Sequence, residues 1–159
     1  MRVLIIIGIV LVVLVAANTA WLWITARTMP RPDEVDQGDL PPCPDTDNCV
    51  STETTDGLHA IEPILYDTAD EVAIETMLTV LREAPRVEVI RSEGNYIYAE
   101  AKSPMMGFVD DIDMLIEAGE VRFRSAARMG TIDLHKNRER MEAIREQFEA
   151  SLAVAAQDG

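Results

Sequence analysis

Two cysteines and two histidines are all that this 159-residue chain offers a soft metal. That is fewer than the ligands of a zinc finger or an iron–sulfur site of the usual kind. Basic residues are also scarce, with 14 Lys+Arg against 28 Asp+Glu and a formal net charge of −14. Such a chain lacks the basic face that neutralises phosphates, so a general nucleic-acid binder is excluded. Glycine and proline number eight each in a chain that is 48% hydrophobic, which excludes a collagenous or wholly disordered protein. No nucleophile elbow, phosphate loop or paired-histidine zinc motif occurs. His59 and His135 stand far apart without a ligand cluster, and each reads as a surface or loop histidine. No catalytic residue, metal ligand or cofactor is therefore assigned. What remains is enough chain for one compact domain, not two.

Charge is missing altogether from residues 3–24. At 1.5 Å per residue that run crosses a hydrocarbon core of roughly 30 Å, so residues 1–27 read as a transmembrane anchor. Trp21 and Trp23 near its end fit an interfacial belt. A cleaved signal peptide is the competing reading, with Val15, Ala16 and Ala17 as the small residues of a cleavage point. The run continues through Ile24, beyond the roughly 7 to 15 apolar residues of a signal-peptide core, which favours an uncleaved anchor. Flanking charge hardly decides orientation, because the α-amine and Arg2 on one side balance Arg27 and Arg31 on the other. Cys43 and Cys49, in a Pro-rich turn outside the apolar run, read as a disulfide and hence as an oxidising compartment. The expected location is the bacterial inner membrane, single-pass, with the domain facing the periplasm. A reduced cytosolic pair is the alternative.

Residues 28–57 read as a tether, because they hold Pro30, Pro32, Pro41, Pro42 and Pro44 among many acids and can bury little apolar surface. Asp45 and Asp47 hint at the start of a calcium loop, but Cys49 takes the third ligand position and no glycine follows, so a Cys43–Cys49 staple is the expected role. Residues 58–157 have a globular pattern. Residues 58–66 suggest a short edge strand interrupted by Pro63. Thr68 with Glu71 forms a capping-box signature ahead of Val72, Ile74, Met77, Leu78 and Leu81 at helical spacing, ended by Pro85. Residues 86–91 and 95–102 form one predicted hairpin, and 109–117 with 120–129 a second, around Ala118 and Gly119. Residues 136–156 read as a helix with a stripe of Met141, Ile144, Phe148, Leu152 and Ala155. The order predicts an α+β domain, an antiparallel sheet of about four strands with two helices packed on one face.

In the second hairpin a two-residue turn pairs Ile116 with Val121, Met114 with Phe123 and Ile112 with Ser125 on the helix-covered face. The other face then pairs Asp113 with Arg124 and sets Asp111 diagonal to Arg124 and Arg128. Asp110 points to the opposite face from Asp111 and Asp113, so a metal site is not expected. Residues 121–138 carry Arg122, Arg124, Arg128, Lys136 and Arg138 against Asp133 alone, a local basic patch on an acidic chain. Arginine forks suit carboxylate or phosphate. The competing reading is a solvated face of cross-strand ion pairs. Met105 and Met106 read as a hydrophobic cover over the sheet or as the lip of a ligand site.

Two segments carry a resemblance. Pro42-Cys43-Pro44 runs into Asn48-Cys49-Val50-Ser51. Further on stand Gly107-Phe108-Val109-Asp110-Asp111, Arg124-Ser125 with Arg128 and Gly130, and Asp133 followed by Asn137-Arg138 and Arg140. Together they resemble the uncharacterised domain of unknown function 1499, a family found in bacterial and plastid proteins. The resemblance implies no activity to carry over. Ala127 stands where the family usually has serine, and His135 where it has glycine. The resemblance raises the weight of a recognition surface to that of the ion-pair ladder. The expected function is therefore a membrane-anchored extracytoplasmic binding or accessory module. Asp111, Asp113, Arg124, Arg128, Asp133, Asn137 and Arg138 form its recognition surface for an anionic ligand or an envelope protein. Two alternatives stay open. One is a hydrolase-like enzyme using Asp110, Asp111 or Asp133 with the arginines. The other is a structural envelope subunit.

Overall fold

The computed structural model describes residues 2–31, 39–132 and 134–156. The uncharged run lies within α1 (Arg2–Thr28), whose most apolar 18-residue window has a mean hydropathy of 2.8 and is 0% buried by the rest of the protein. Among the described residues this is the one helix long and apolar enough to cross a membrane. Its hydroxyls are satisfied internally, since Thr19, Thr25 and Thr28 donate to the carbonyls of Ala16, Trp21 and Ile24. Near its end the Arg27 guanidinium lies 3.5 Å from the centre of the Trp23 ring.

The rest is an α+β domain. Strands β1 (Cys49–Ser51), β2 (Ile64–Leu65), β3 (Val87–Glu93), β4 (Tyr96–Lys102), β5 (Val109–Glu117) and β6 (Glu120–Ala127) form one antiparallel sheet in the order β1-β6-β5-β4-β3, with β2 also on β6. Six strands replace the expected four or so because β1 and β2 pair with the outer side of β6, one opposite Arg124–Ala126 and the other opposite Glu120 and Val121. Strands of three and two residues are too short for alternation to show in sequence. Cys49–Ser51 belongs to the segment read as tether, and the Cys43–Cys49 disulfide closes at the first residue of that strand.

The β5–β6 register is the expected one, with Ile116 opposite Val121, Met114 opposite Phe123, Ile112 opposite Ser125 and Asp113 opposite Arg124. Ala118 and Gly119 turn the hairpin with φ of 54° and 82°. The β3–β4 hairpin is likewise observed, with an irregularity between Val89 and Arg91. Helices α2 (Asp70–Glu83) and α3 (Lys136–Ala155) cover one face. Ala73, Met77, Val80 and Leu81 meet Met141, Ile144 and Phe148 over Ile97, Ile112, Met114 and Phe123 in one continuous core. Full burial of each large side chain there contributes about 1.5–3 kcal/mol.

The capping box does not form. The N-cap of α2 is Ala69 with no side-chain bond, and Thr68 and Glu71 are exposed. Asp70 holds this end instead, accepting from the Tyr66 hydroxyl at 2.6 Å and the Ala118 N–H at 3.3 Å, which ties the helix start to the β5–β6 turn. A second difference concerns His59, which is in a turn as expected but buried. Its Nδ1 lies 2.7 Å from Asp56 Oδ2 and its Nε2 3.1 Å from the Thr46 carbonyl.

Candidate functional site

Strand alternation sends Asp111 and Asp113 of β5, Tyr96, Tyr98 and Glu100 of β4, and Arg124 of β6 to the face of the sheet away from the helices. That face is not open to water. Asp113 is 0% exposed, Asp111 3% and Arg124 5%, and the Arg128 side chain is 8% exposed. The chain leaving α1 lies against it. Arg31 Nη2 is 2.5 Å from Asp113 Oδ1, which also accepts from the Tyr96 hydroxyl at 2.5 Å. The Arg31 guanidinium sits 4.1 Å from the centre of the Tyr98 ring. Arg128 grips Asp111 through Nε and Nη2 at 2.7–3.1 Å, pairs with Glu100, and donates from Nη1 to the Met29 carbonyl at 2.9 Å. The Tyr98 hydroxyl is 2.7 Å from Asp111 Oδ1 and accepts from Arg128. Leu40, Tyr96, Tyr98 and Leu115 form a small apolar cluster beside these charges.

The electrostatics follow from this burial. Arg31, Arg124 and Arg128 stand with Glu100, Asp111 and Asp113, three charges of each sign, three of them buried and three half-buried, which is tolerable only when they are paired. Burial pushes the Asp113 carboxyl up, against the pull of Tyr96, Arg31 and Arg124, and its Oδ2 finds no partner among the described residues. Burial also pushes up the Tyr98 and Tyr96 hydroxyls, and their carboxylate neighbours Asp111 and Asp113 add to the shift. Hydrogen bonding to Asp111 holds Arg128 above its ordinary range. Chemically the cluster is a clamp that ties the residues following α1 to the sheet.

A second polar cluster lies on the helix side. Asn137, in the first turn of α3, accepts from Ser125 Oγ at 2.6 Å and from Arg140 Nη1 at 2.9 Å, and donates to the Asn48 carbonyl at 3.0 Å. Arg140 Nη2 reaches Asp110 Oδ2 at 2.6 Å. Asn48 Nδ2 donates to the Gly130 carbonyl at 2.7 Å. Arg138 donates to the Ala60 carbonyl at 2.8 Å. These bonds join β1, β6 and α3.

Of the residues expected to form one recognition surface, Asp111, Asp113, Arg124 and Arg128 do meet, but beneath the chain. Asn137 and Arg138 belong to the second cluster, and Asp133 lies outside the described residues. Among the described residues no group of three or more His, Cys, Asp and Glu could hold a metal. Tyr96, Tyr98 and Glu100 were missed, although pairing the two hairpins would have set Tyr98 opposite Asp113 and Glu100 opposite Asp111.

Elsewhere a groove of about 800 Å³ lies between the 103–108 loop, residues 129–132 with Leu134, and α3. Leu22 of α1, Phe108, Ile132, Leu134, Ala143 and Ile144 supply apolar walls, with the Asp110–Arg140 pair among them. Such a volume is in the range of small-molecule sites. The loop is pressed against the end of α1, since a Cβ on Gly107 would lie 2.5 Å from Arg27 Nε, and Gly107 has a φ of 69°. Nothing in the sequence pattern pointed to the groove beyond Met105, which is 84% exposed on that loop.

Residues 39–148 match the family described as protein of unknown function (DUF1499). No curated protein matches the chain.

Proposed function

The chain belongs to the DUF1499 family, a family of unknown function, and from that premise we propose that it is a membrane-anchored binding module. Its domain faces the extracytoplasmic side of a bacterial inner membrane, and its ligand site is the groove beside the end of α1. One observation carries the reading. The residues that follow α1 are tied to the sheet by part-buried charged contacts, Arg31 with Asp113 and Arg128 with the Met29 carbonyl. A clamp of this kind holds a domain at a set height and orientation over a bilayer, which a flexible tether would not do. Asp111, Asp113, Arg124 and Arg128 then act as a frame, and ligand contact falls to the groove. The Cys43–Cys49 disulfide supports an oxidising compartment.

Thiol labelling in intact cells tests the orientation. An impermeant maleimide is expected to label Cys43 and Cys49 only after reduction. Labelling only after lysis, with no reductant needed, would place the domain in the cytosol and overturn that part of the reading.

A further inference from the structure

We propose that the groove takes an acyl chain of an anionic phospholipid from the bilayer that α1 crosses. This rests on the reading of α1 as a membrane anchor and of the groove as the ligand site. Position is the first argument. Leu22 contributes to the groove wall from the same turn of α1 as Trp21 and Trp23, the residue types that mark the headgroup level of a bilayer. A groove opening at that height meets lipid before it meets any soluble molecule. Its mouth has the matching surface, with Leu134 74% exposed, Ile132 64% exposed and Met105 on the adjoining loop. Clustered exposed apolar side chains of this kind mark an interaction site.

Charge is the second argument. The groove is lined by Arg86, Lys102, Lys136 and Arg140 against Asp110 and Glu139, and bases stay in local excess even with Lys102 paired to Glu88, Lys136 to Glu139 and Arg140 to Asp110, on a chain of net charge −14. An acidic domain near an anionic membrane is repelled except where such a patch faces the surface. Backbone strain falls at the same place. Arg86, Leu134 and His135 hold φ of 61°, 56° and 63°, and the first two line the groove. Residues with side chains adopt that region at a cost, and such positions concentrate at binding sites.

The test uses the full chain in phosphatidylcholine vesicles doped with phosphatidylglycerol that carries a diazirine on its acyl chain. After illumination, adducts are mapped by mass spectrometry. Adducts on Phe108, Ile132 and Leu134 are expected beside those on α1, which serve as the internal standard. Ala143→Trp narrows the groove from an exposed helix position and should remove the domain adducts while leaving those on α1. Replacing Lys102 and Lys136 by Glu should lower the preference for phosphatidylglycerol over a phosphatidylcholine probe by about fivefold per lysine. If the tryptophan lowers the melting temperature, Ile132→Asn with Leu134→Asn, both exposed, removes the apolar mouth instead and should have the same effect. Adducts confined to α1, or domain adducts indifferent to both sets of variants, overturn the proposal and leave annular lipid only. Equal labelling by the two probes overturns its anionic half. Groove adducts that persist when thiol labelling places the domain in the cytosol would sink the orientation and leave lipid binding standing.

Discussion

Arg31 and Asp113 are 82 residues apart in the chain and 2.5 Å apart in the fold. Removing one member of such a pair leaves the other charge buried without its partner, and the penalty exceeds what the intact pair contributes. Arg31→Ala is expected to destabilise the domain by about 3 kcal/mol, measured by denaturant titration in detergent. In combination with Asp113→Asn the loss should be smaller than the sum of the two single losses. Strict additivity would show that the contact carries no coupling. The tyrosines offer an independent check. The chain has three, and the hydroxyls of Tyr66, Tyr96 and Tyr98 are all pushed up by burial and by hydrogen bonding to Asp70, Asp113 and Asp111. A folded-state value raised above the unfolded one means that this stabilisation is complete below about pH 10 and is lost as the pH rises further. Phenolate absorbance should therefore stay silent at pH 10 in the folded protein and appear there in denaturant. A phenol titrating normally in the folded protein would contradict the buried placement of that tyrosine.

The secondary elements were legible where their apolar period ran long enough. α2, α3 and the two hairpins follow from stripes and alternation, and the β5–β6 register follows from the two-residue turn at Ala118 and Gly119. β1 and β2 were not legible, because strands of three and two residues are defined by what they pair with. The start of α2 shows a local signal losing to tertiary contact, since Asp70 meets Tyr66 and the hairpin turn while Thr68 stays in solvent. Asn137 has the reverse character, a member of the expected recognition surface in sequence and a buried junction of three elements in the fold. Asn137→Ala removes the acceptor of the buried Ser125 hydroxyl and leaves the Asn48 carbonyl with the Ala127 N–H alone, and should cost about 2 kcal/mol in unfolding free energy. Lys136→Ala, one residue away and exposed, should change it by less than about 0.5 kcal/mol. Similar effects from both variants would sink the assignment.

At the scale of the molecule, the part-buried clamp ties the residues that follow α1 to the sheet. An anchor that stays attached predicts retention in membranes after an alkaline wash. A soluble species beginning near Asn18 would show instead that α1 is a signal sequence. The candidate site was partly legible. Asp111, Asp113, Arg124 and Arg128 were found by strand alternation, which tells which residues share a face but not what covers that face. Arg31, in a stretch that looked like tether, neutralises the face from outside the hairpin. The groove was invisible for a related reason, since its walls come from α1, two loops and α3. From the sequence alone came the apolar helix, the α+β class, the hairpin register and the disulfide pair, because each depends on period or on local spacing. Tertiary structure alone decided that the charged face is closed and that a largely apolar groove lies open elsewhere, because exposure depends on which distant segments pack together.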